Sequence, residues 1–267
     1  MRNNVQKYMH VIRELFYLRF HGFTVFRLDF FAPFLVDGSL FFIQLLAFGA
    51  VYSHTDTIGG WGKGEMILYI GTFSLLNAVN MTIYFFGVNS IPYKVRSGQM
   101  DIYLSKPVSP LFRLTFENIS PGSIPLIIMS LCIICYGIHM LGMALTLRAV
   151  IAYGFWVLVM TVLYYEMEVI LRSASLYVDS MARLEQLEDS CIELCMKLPG
   201  IAFYGGYKVI FYLILPYGIM ATLPVQRLVG DMNLRTAVYG IGVVGVFTAI
   251  TAVLWKQGLK HYNSASS

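Results

Sequence analysis

Residues 174–198 read ASLYVDSMARLEQLEDSCIELCMKL, and the path this segment takes decides the fold. Tyr177, Met181, Leu184, Leu187, Cys191, Leu194 and Leu198 recur every three or four residues, which makes one apolar stripe on a helix. Asp179, Arg183, Glu185, Glu188, Asp189 and Glu193 occupy its other faces. A charge at mid-bilayer costs about 2.5–3.5 kcal/mol and a Leu returns only about 0.5, so these charges together cost on the order of 15 kcal/mol. With lipid on all sides such a helix cannot cross. Two arrangements survive that arithmetic. In the first, the helix lies on the cytoplasmic side and residues 201–225 form the next crossing. In the second, the helix crosses with its acidic face turned to water or to a partner subunit. Residues 201–225, broken by Gly205-Gly206 and Pro216, then enter and leave from the outer side. Taken by themselves, the residues favour the first.

The bilayer enters this argument because of the rest of the chain. Of 267 residues, 57% are hydrophobic and 13% charged, and the mean hydropathy is +0.66. Ordinary soluble domains have about 45–50% and about 25%. So few charges cannot cover a surface facing water. Disorder is excluded by the abundance of apolar side chains, and a secreted disulfide scaffold by the low cysteine count of four. A hydrocarbon core of ~30 Å needs about 20 apolar residues as a helix. Runs of that kind are 34–52, 65–87, 124–141, 149–171, 201–225 and 237–255. The expectation is an all-α membrane protein with about six transmembrane helices in a single domain, residues 29–267.

Basic residues near the ends of these runs set the orientation. Arg2, Lys7, Arg13, Arg19 and Arg27 precede the first run, and Lys94, Arg96, Lys106 and Arg113 follow the second. Arg172, Arg183 and Lys197 follow the fourth, and Lys256 and Lys260 the sixth. The alternate loops are poorer, with Lys63, Arg148, Arg227 and Arg235. Both termini are therefore expected in the cytoplasm. Residues 1–28 are expected to form a cytoplasmic interfacial helix rather than a cleaved signal, since Val5, Met9, Ile12 and Phe16 make an apolar stripe that Lys7, Arg13 and Arg19 avoid.

Catalytic and nucleotide-binding patterns are missing from these residues. The glycine-rich stretch 59–64 lacks the spacing, and the Ser/Thr after Lys63, that a phosphate-cradling loop needs, and it reads as a flexible turn. Cys132 with Cys135 and Cys191 with Cys195 fall short of the four convergent ligands of a metal site, and the first pair reads as small hydrophobes in an apolar span. The histidines are dispersed. Glu166 and Glu168 stand two apart toward the cytoplasmic end of the fourth run, so they point to different helix faces. Acids at membrane depth are candidates for function, whereas acids near the interface can simply reach water.

After the second run comes IPYKVRSGQMDIYLSKPVSP, residues 91–110. This resembles the cytoplasmic segment of ABC exporter permeases of the ABC-2 type, in the branch similar to daunorubicin-resistance and viologen-exporter permeases. Their pattern "I…G.lD..L..P" is matched by Val95, Gly98, Asp101, Leu104 and Pro107. Leu215-Pro216-Tyr217-Gly218 followed by Leu223-Pro224 is similar to the family's "P…P" segment before its last span. The chain departs from those relatives at Leu176-Tyr177, where they commonly carry an aromatic pair, and in the acidity of the helix that follows. Physically, Gly98 can end a helix and Pro107 can open the next one.

The resemblance implies a membrane-spanning permease of an ATP-driven exporter in the bacterial inner membrane. It implies no cofactor in this chain, with ATP and Mg bound by a partner ATPase. The implied partners are ABC ATPase subunits and a second permease copy or a similar permease. Residues 91–110 are then the ATPase-coupling segment, with Val95, Arg96, Gly98, Asp101, Leu104, Lys106 and Pro107 as its candidate residues. The family's topology favours the second path for 174–198. In that case Glu166, Asp179, Glu185, Asp189 and Glu193 are candidate pathway acids, and the cargo is expected to be an amphipathic, cationic drug, peptide or lipid-like molecule. The competing classes are an ATP-independent secondary transporter, which would often show inverted repeats, and a membrane-embedded lipid-modifying enzyme, which would need a His or Asp cluster. Neither signature is visible.

Overall fold

The computed structural model describes residues 6, 8–17, 27–178 and 181–262, and among these it is helical with no strand. Residues 8–17 form α1. The bundle then runs α2 (Arg27–Val51), α3 (Lys63–Ile83), α4 (Phe85–Asn89), α5 (Ile91–Arg96), α6 (Met100–Leu104), α7 (Pro110–Glu117), α8 (Ile124–Met140) and α9 (Leu147–Ser173). It continues as α10 (Ala182–Lys197), α11 (Gly205–Val209), α12 (Tyr217–Met220), α13 (Thr222–Val229) and α14 (Leu234–His261). Five of these, α2, α3, α8, α9 and α14, are long and apolar enough to cross a membrane. Where the interfacial helix was expected, residues 8–17 are helical as α1, and its Tyr8 ring meets Phe112 of α7 edge-on with centroids 4.6 Å apart. Val5, Lys7 and Arg19 fall outside the described residues.

Local chemistry accounts for the helix starts. Thr146 Oγ1 accepts from the Ala149 N–H at 3.2 Å to cap α9, and Asn233 Oδ1 accepts from the Thr236 N–H at 2.8 Å to cap α14. In the turn before α3, Gly59 and Gly60 both have positive φ, as the glycine run suggested.

The centre of the bundle is α3. Of its apolar window 78% is buried, against 17–33% for the other four long helices. The others turn Leu40, Phe42, Ile128, Leu131, Leu158 and Val246 outward, an apolar surface that only lipid can cover at low cost. Glycines bring α3 and α8 into backbone contact, so a Cβ added at Gly137 would meet Leu68 N at 2.8 Å, and one at Gly71 would meet Ile134 N at 2.9 Å. Gly137→Ala is therefore expected to destabilise the protein by about 1–3 kcal/mol. Gly154→Ala, at a position with nothing within 4 Å, is the matched control and should leave unfolding in detergent unchanged or slightly raised.

One expectation about the path of the chain needs correcting. Residues 201–225 do not form a straight crossing. The helical arms Gly205–Ile214 and Tyr217–Val229 meet at Pro216 with a bend of 79°. Both arms end at one end of the bundle. The chain just before α11 lies against the Gly59 turn, where a Cβ on Gly59 would sit 3.1 Å from Ala202 Cα, and Arg227 shares a groove with Arg148 at the start of α9. The apex at Tyr217 is fully buried and its ring meets Tyr164 edge-on.

α10 lays one face against α3, antiparallel to it, and leaves its polar face exposed. The Tyr69 hydroxyl of α3 donates to the carbonyls of Cys195 and Leu198. Further along, Asn77 and Asn80 share a small cavity with Glu188, Asp189 and Ile192. The charge arithmetic assumed lipid on every side, and the neighbours of α10 remove that condition.

Candidate functional site

Residues 91–110 fold into α5, a tight bend, α6 and an exposed loop into α7. Pro92 sits in the first turn of α5, where a missing N–H costs nothing. After α5 the Ser97 N–H closes on Tyr93 O, and Gly98 follows at φ +71°, the left-handed position that favours glycine. Pro107, expected to open the next helix, lies instead in the exposed loop after α6, and Pro110 opens α7. The residue before a proline is pushed to extended backbone, and Ser109, at φ −53° and ψ 126°, supplies that at Pro110.

This element is held firmly from above. Ile91, Met100 and Tyr103 share a core with Tyr84, Val88 and Leu114, and with Val169, Leu176 and Trp255 from the adjoining ends of α9 and α14. Lys94 is ion-paired to Glu117, and the Tyr103 hydroxyl donates to Glu117 at 2.7 and 2.9 Å. The Lys94 ammonium and the Arg113 guanidinium stand 4.7 and 5.0 Å from the Tyr103 ring centre. Burial pushes the Tyr103 phenol above its usual pKa, with Arg113 opposing. Burial and the nearby Asp101 carboxylate likewise raise Tyr262, just beyond α14.

Against that fixed inner side, the outer side is open. Tyr93 is 61% exposed, Ile102 54% and Leu104 43%, alongside exposed Arg96, Lys106 and Pro107. Val95, Gly98 and Asp101 are half-buried beneath them. Sequence reasoning missed Tyr93 and Ile102 as surface anchors, and Lys94 with Glu117 as the internal brace. No periodic pattern links residues 94 and 117, so nothing in the sequence signals the brace.

A polar node lies between this segment and α10. Arg172, near the end of α9, donates through Nε to Asn89 Oδ1 at 2.9 Å, at the head of the segment. Its Nη1 donates to Glu188 of α10, and its Nη2 stands 3.4 Å from Glu168. Glu168 accepts from Asn80 Nδ2 at 3.2 Å, and Glu188 accepts from the Tyr217 hydroxyl at 3.1 Å, at the hairpin apex. Arg172 is 4% exposed, Glu188 3% and Glu168 1%. One guanidinium thus joins α4, α9 and α10 directly, and α3 and the hairpin apex through its two carboxylate partners. The role of Arg172 and Glu188 was invisible in the sequence, where Arg172 counted only toward orientation and Glu188 was one acid of several.

The candidate pathway acids separate into groups. Glu166 and Glu168 do point to different faces, but both are buried, so neither reaches water through this chain. Glu166 accepts from the Thr248 hydroxyl of α14. Glu185, half-exposed, and Asp189 and Glu193, exposed, lie on α10, while Asp179 falls outside the described residues. Arg183, Gln186, Ser190, Glu193 and Lys197 recur at three- and four-residue steps on the exposed face of α10, beside Asp189. Lys197 stands 2.5 Å from Glu193. Next to this stripe an apolar groove of about 600 Å³ opens between α2 and α10, walled by Leu40, Ile43, Ala47, Val51 and Met196, with Glu193 and Lys197 at its edge. Among the described residues no cluster of His, Cys, Asp or Glu could hold a metal ion.

A family model described as ABC-2 family transporter protein matches residues 39–266. No curated protein and no solved structure matches the chain.

Proposed function

The chain belongs to the ABC-2 family of transporter proteins, as a multi-pass membrane permease, and from that premise we infer that it exports cargo using ATP hydrolysed by a separate subunit seated on residues 91–110. The observation that carries this reading is the contrast within that segment. Its inner side is bolted to the ends of α9 and α14, while Tyr93, Ile102 and Leu104 stand exposed beyond the spans. A rigid element with an open apolar face passes force from a docked partner into the bundle. Both termini are then cytoplasmic, as the basic residues indicate.

In this proposal α10 is the fifth crossing and the 79° hairpin re-enters from the outer side. The polar stripe of α10 cannot face lipid without a large penalty, so it meets a second copy of this chain or a similar permease across a shared pathway. Nucleotide binding favours one packing of the pair, and hydrolysis with release restores the other. Movement of the segment reaches α10 through Asn89, Arg172 and Glu188. The apolar groove beside a charged stripe suits an amphipathic cargo. Lys197 already engages Glu193, which leaves Asp189 as the acid best placed to meet a cation.

The test is purification from the native host in mild detergent. An ABC ATPase should co-elute, and an Ile102→Asp/Leu104→Asp variant should lower its yield several-fold without changing the unfolding of the permease. Transport of a cationic amphipathic dye by reconstituted protein with no hydrolase attached would overturn the reading.

A further inference from the structure

At the end of the bundle opposite residues 91–110, a groove of about 590 Å³ opens beside the first turns of α9. Its floor is Ala152 and Trp156, and its walls are the exposed Leu147, Ile151 and Phe155. Trp156 is buried because it packs over Gly240 of α14, where a Cβ would lie 2.8 Å from the indole, so the floor is rigid. Arg148 from α9 and Arg227 from α13 line the same groove. Both are exposed, and neither makes an ion pair among the described residues. None of the groove residues is acidic. Asp231, in the loop after α13, is the nearest acid in sequence to Arg227 and is not paired with it.

We propose that this groove binds an anionic phospholipid of the leaflet at that end, its phosphate held between Arg148 and Arg227 and an acyl chain lying along Ile151 and Phe155. Helix spacing puts residues 148, 151, 152, 155 and 156 on one face, about 12 Å long at 1.5 Å per residue. That face begins with a cation and continues apolar, the order in which a lipid presents its phosphate and its chain. Guanidinium forks suit phosphate oxygens, and two of them favour a net anionic headgroup over a zwitterionic one. A groove with apolar walls facing the bilayer is filled by chains in any case. The two unpaired arginines decide which lipid fills it. Bound there, the lipid ties the outer arm of the hairpin to the start of α9. The proposal does not depend on ATP coupling.

Native mass spectrometry of the purified full chain tests it, with phosphatidylglycerol, phosphatidylcholine or inorganic phosphate added separately. The expected result is preferential retention of phosphatidylglycerol, unaffected by inorganic phosphate, and reduced about tenfold in Arg148→Gln/Arg227→Gln. Both side chains are exposed, so the variant keeps its fold, and Arg235→Gln should behave as the unaltered protein. Phosphatidylglycerol should also raise the unfolding temperature of the unaltered protein and not that of the double variant. Equal retention of the two lipids, retention unchanged in the variant, or full competition by inorganic phosphate would each overturn the proposal.

Discussion

Arg172→Leu is expected to destabilise the protein by about 3–5 kcal/mol, because it strands two buried carboxylates that share this one buried cation. Glu168 and Glu188 both face this guanidinium, and both are almost fully buried. Glu188→Leu leaves Arg172 opposite Glu168 alone, a balanced pair, and should cost only about 1–3 kcal/mol. Combining the two substitutions should cost less than their sum by about 1 kcal/mol or more, since the second change removes one of the charges orphaned by the first. Arg172→Lys should fall between, because an ammonium lacks the planar fork that reaches Asn89, Glu168 and Glu188 together. Equilibrium unfolding in mixed micelles reads all four variants. Strict additivity, or an Arg172→Leu protein within about 0.5 kcal/mol of the original, would show that the node is not a coupled unit.

Gly87→Ala should uncouple the cytoplasmic segment from the bundle, lowering partner-dependent transport more than tenfold. Gly87 lies in α4, and a Cβ built there would fall onto the carbonyl oxygen of Leu114 in α7. That oxygen is backbone, so the added methyl cannot be accommodated by a rotamer change, and α7 must move. Glu117, which braces Lys94 and Tyr103, moves with α7. The cost to global stability is only about 1–3 kcal/mol, since the contact lies at the end of the bundle and not in the α3–α8 seam. The expected signature is new protease cleavage within residues 91–117 and loss of the co-eluting ATPase, with the spans intact. Gly49→Ala, where nothing lies within 4 Å, is the control. If Gly87→Ala retained both partner and protease resistance, the brace would not be what positions the segment.

Much of this was legible from one dimension. Long apolar runs, sparse charge and the positions of Lys and Arg marked a multi-pass helical membrane protein, because a bilayer demands about 20 apolar residues per crossing whatever the tertiary context. Gly98 announced its bend, since few residues but glycine accept positive φ. Pro107 misled, because a proline says where a helix can begin and not which of two nearby prolines begins it. The sequence offered Glu166, Asp179, Glu185, Asp189 and Glu193 as candidate pathway acids and passed over Glu188, with nothing to set Glu166 apart from Glu188. Each is an acid on an amphipathic or apolar helix, and only the neighbour differs, Thr248 for one and Arg172 with Tyr217 for the other.

What the residues alone could not decide was the course of 174–229. Insertion energies are sums over one helix in lipid, and by that sum α10 stays out while 201–225 goes straight through. Packing instead bends 201–225 into a hairpin and lays one face of α10 along α3. Arg172, contributed from another helix, compensates Glu188, and Tyr69 of α3 takes up backbone carbonyls at the other end of α10. Pro216 bends the next segment so that Tyr217 can reach Glu188. Partners distant in sequence change the local solvent, and the solvent sets the cost of burying a charge.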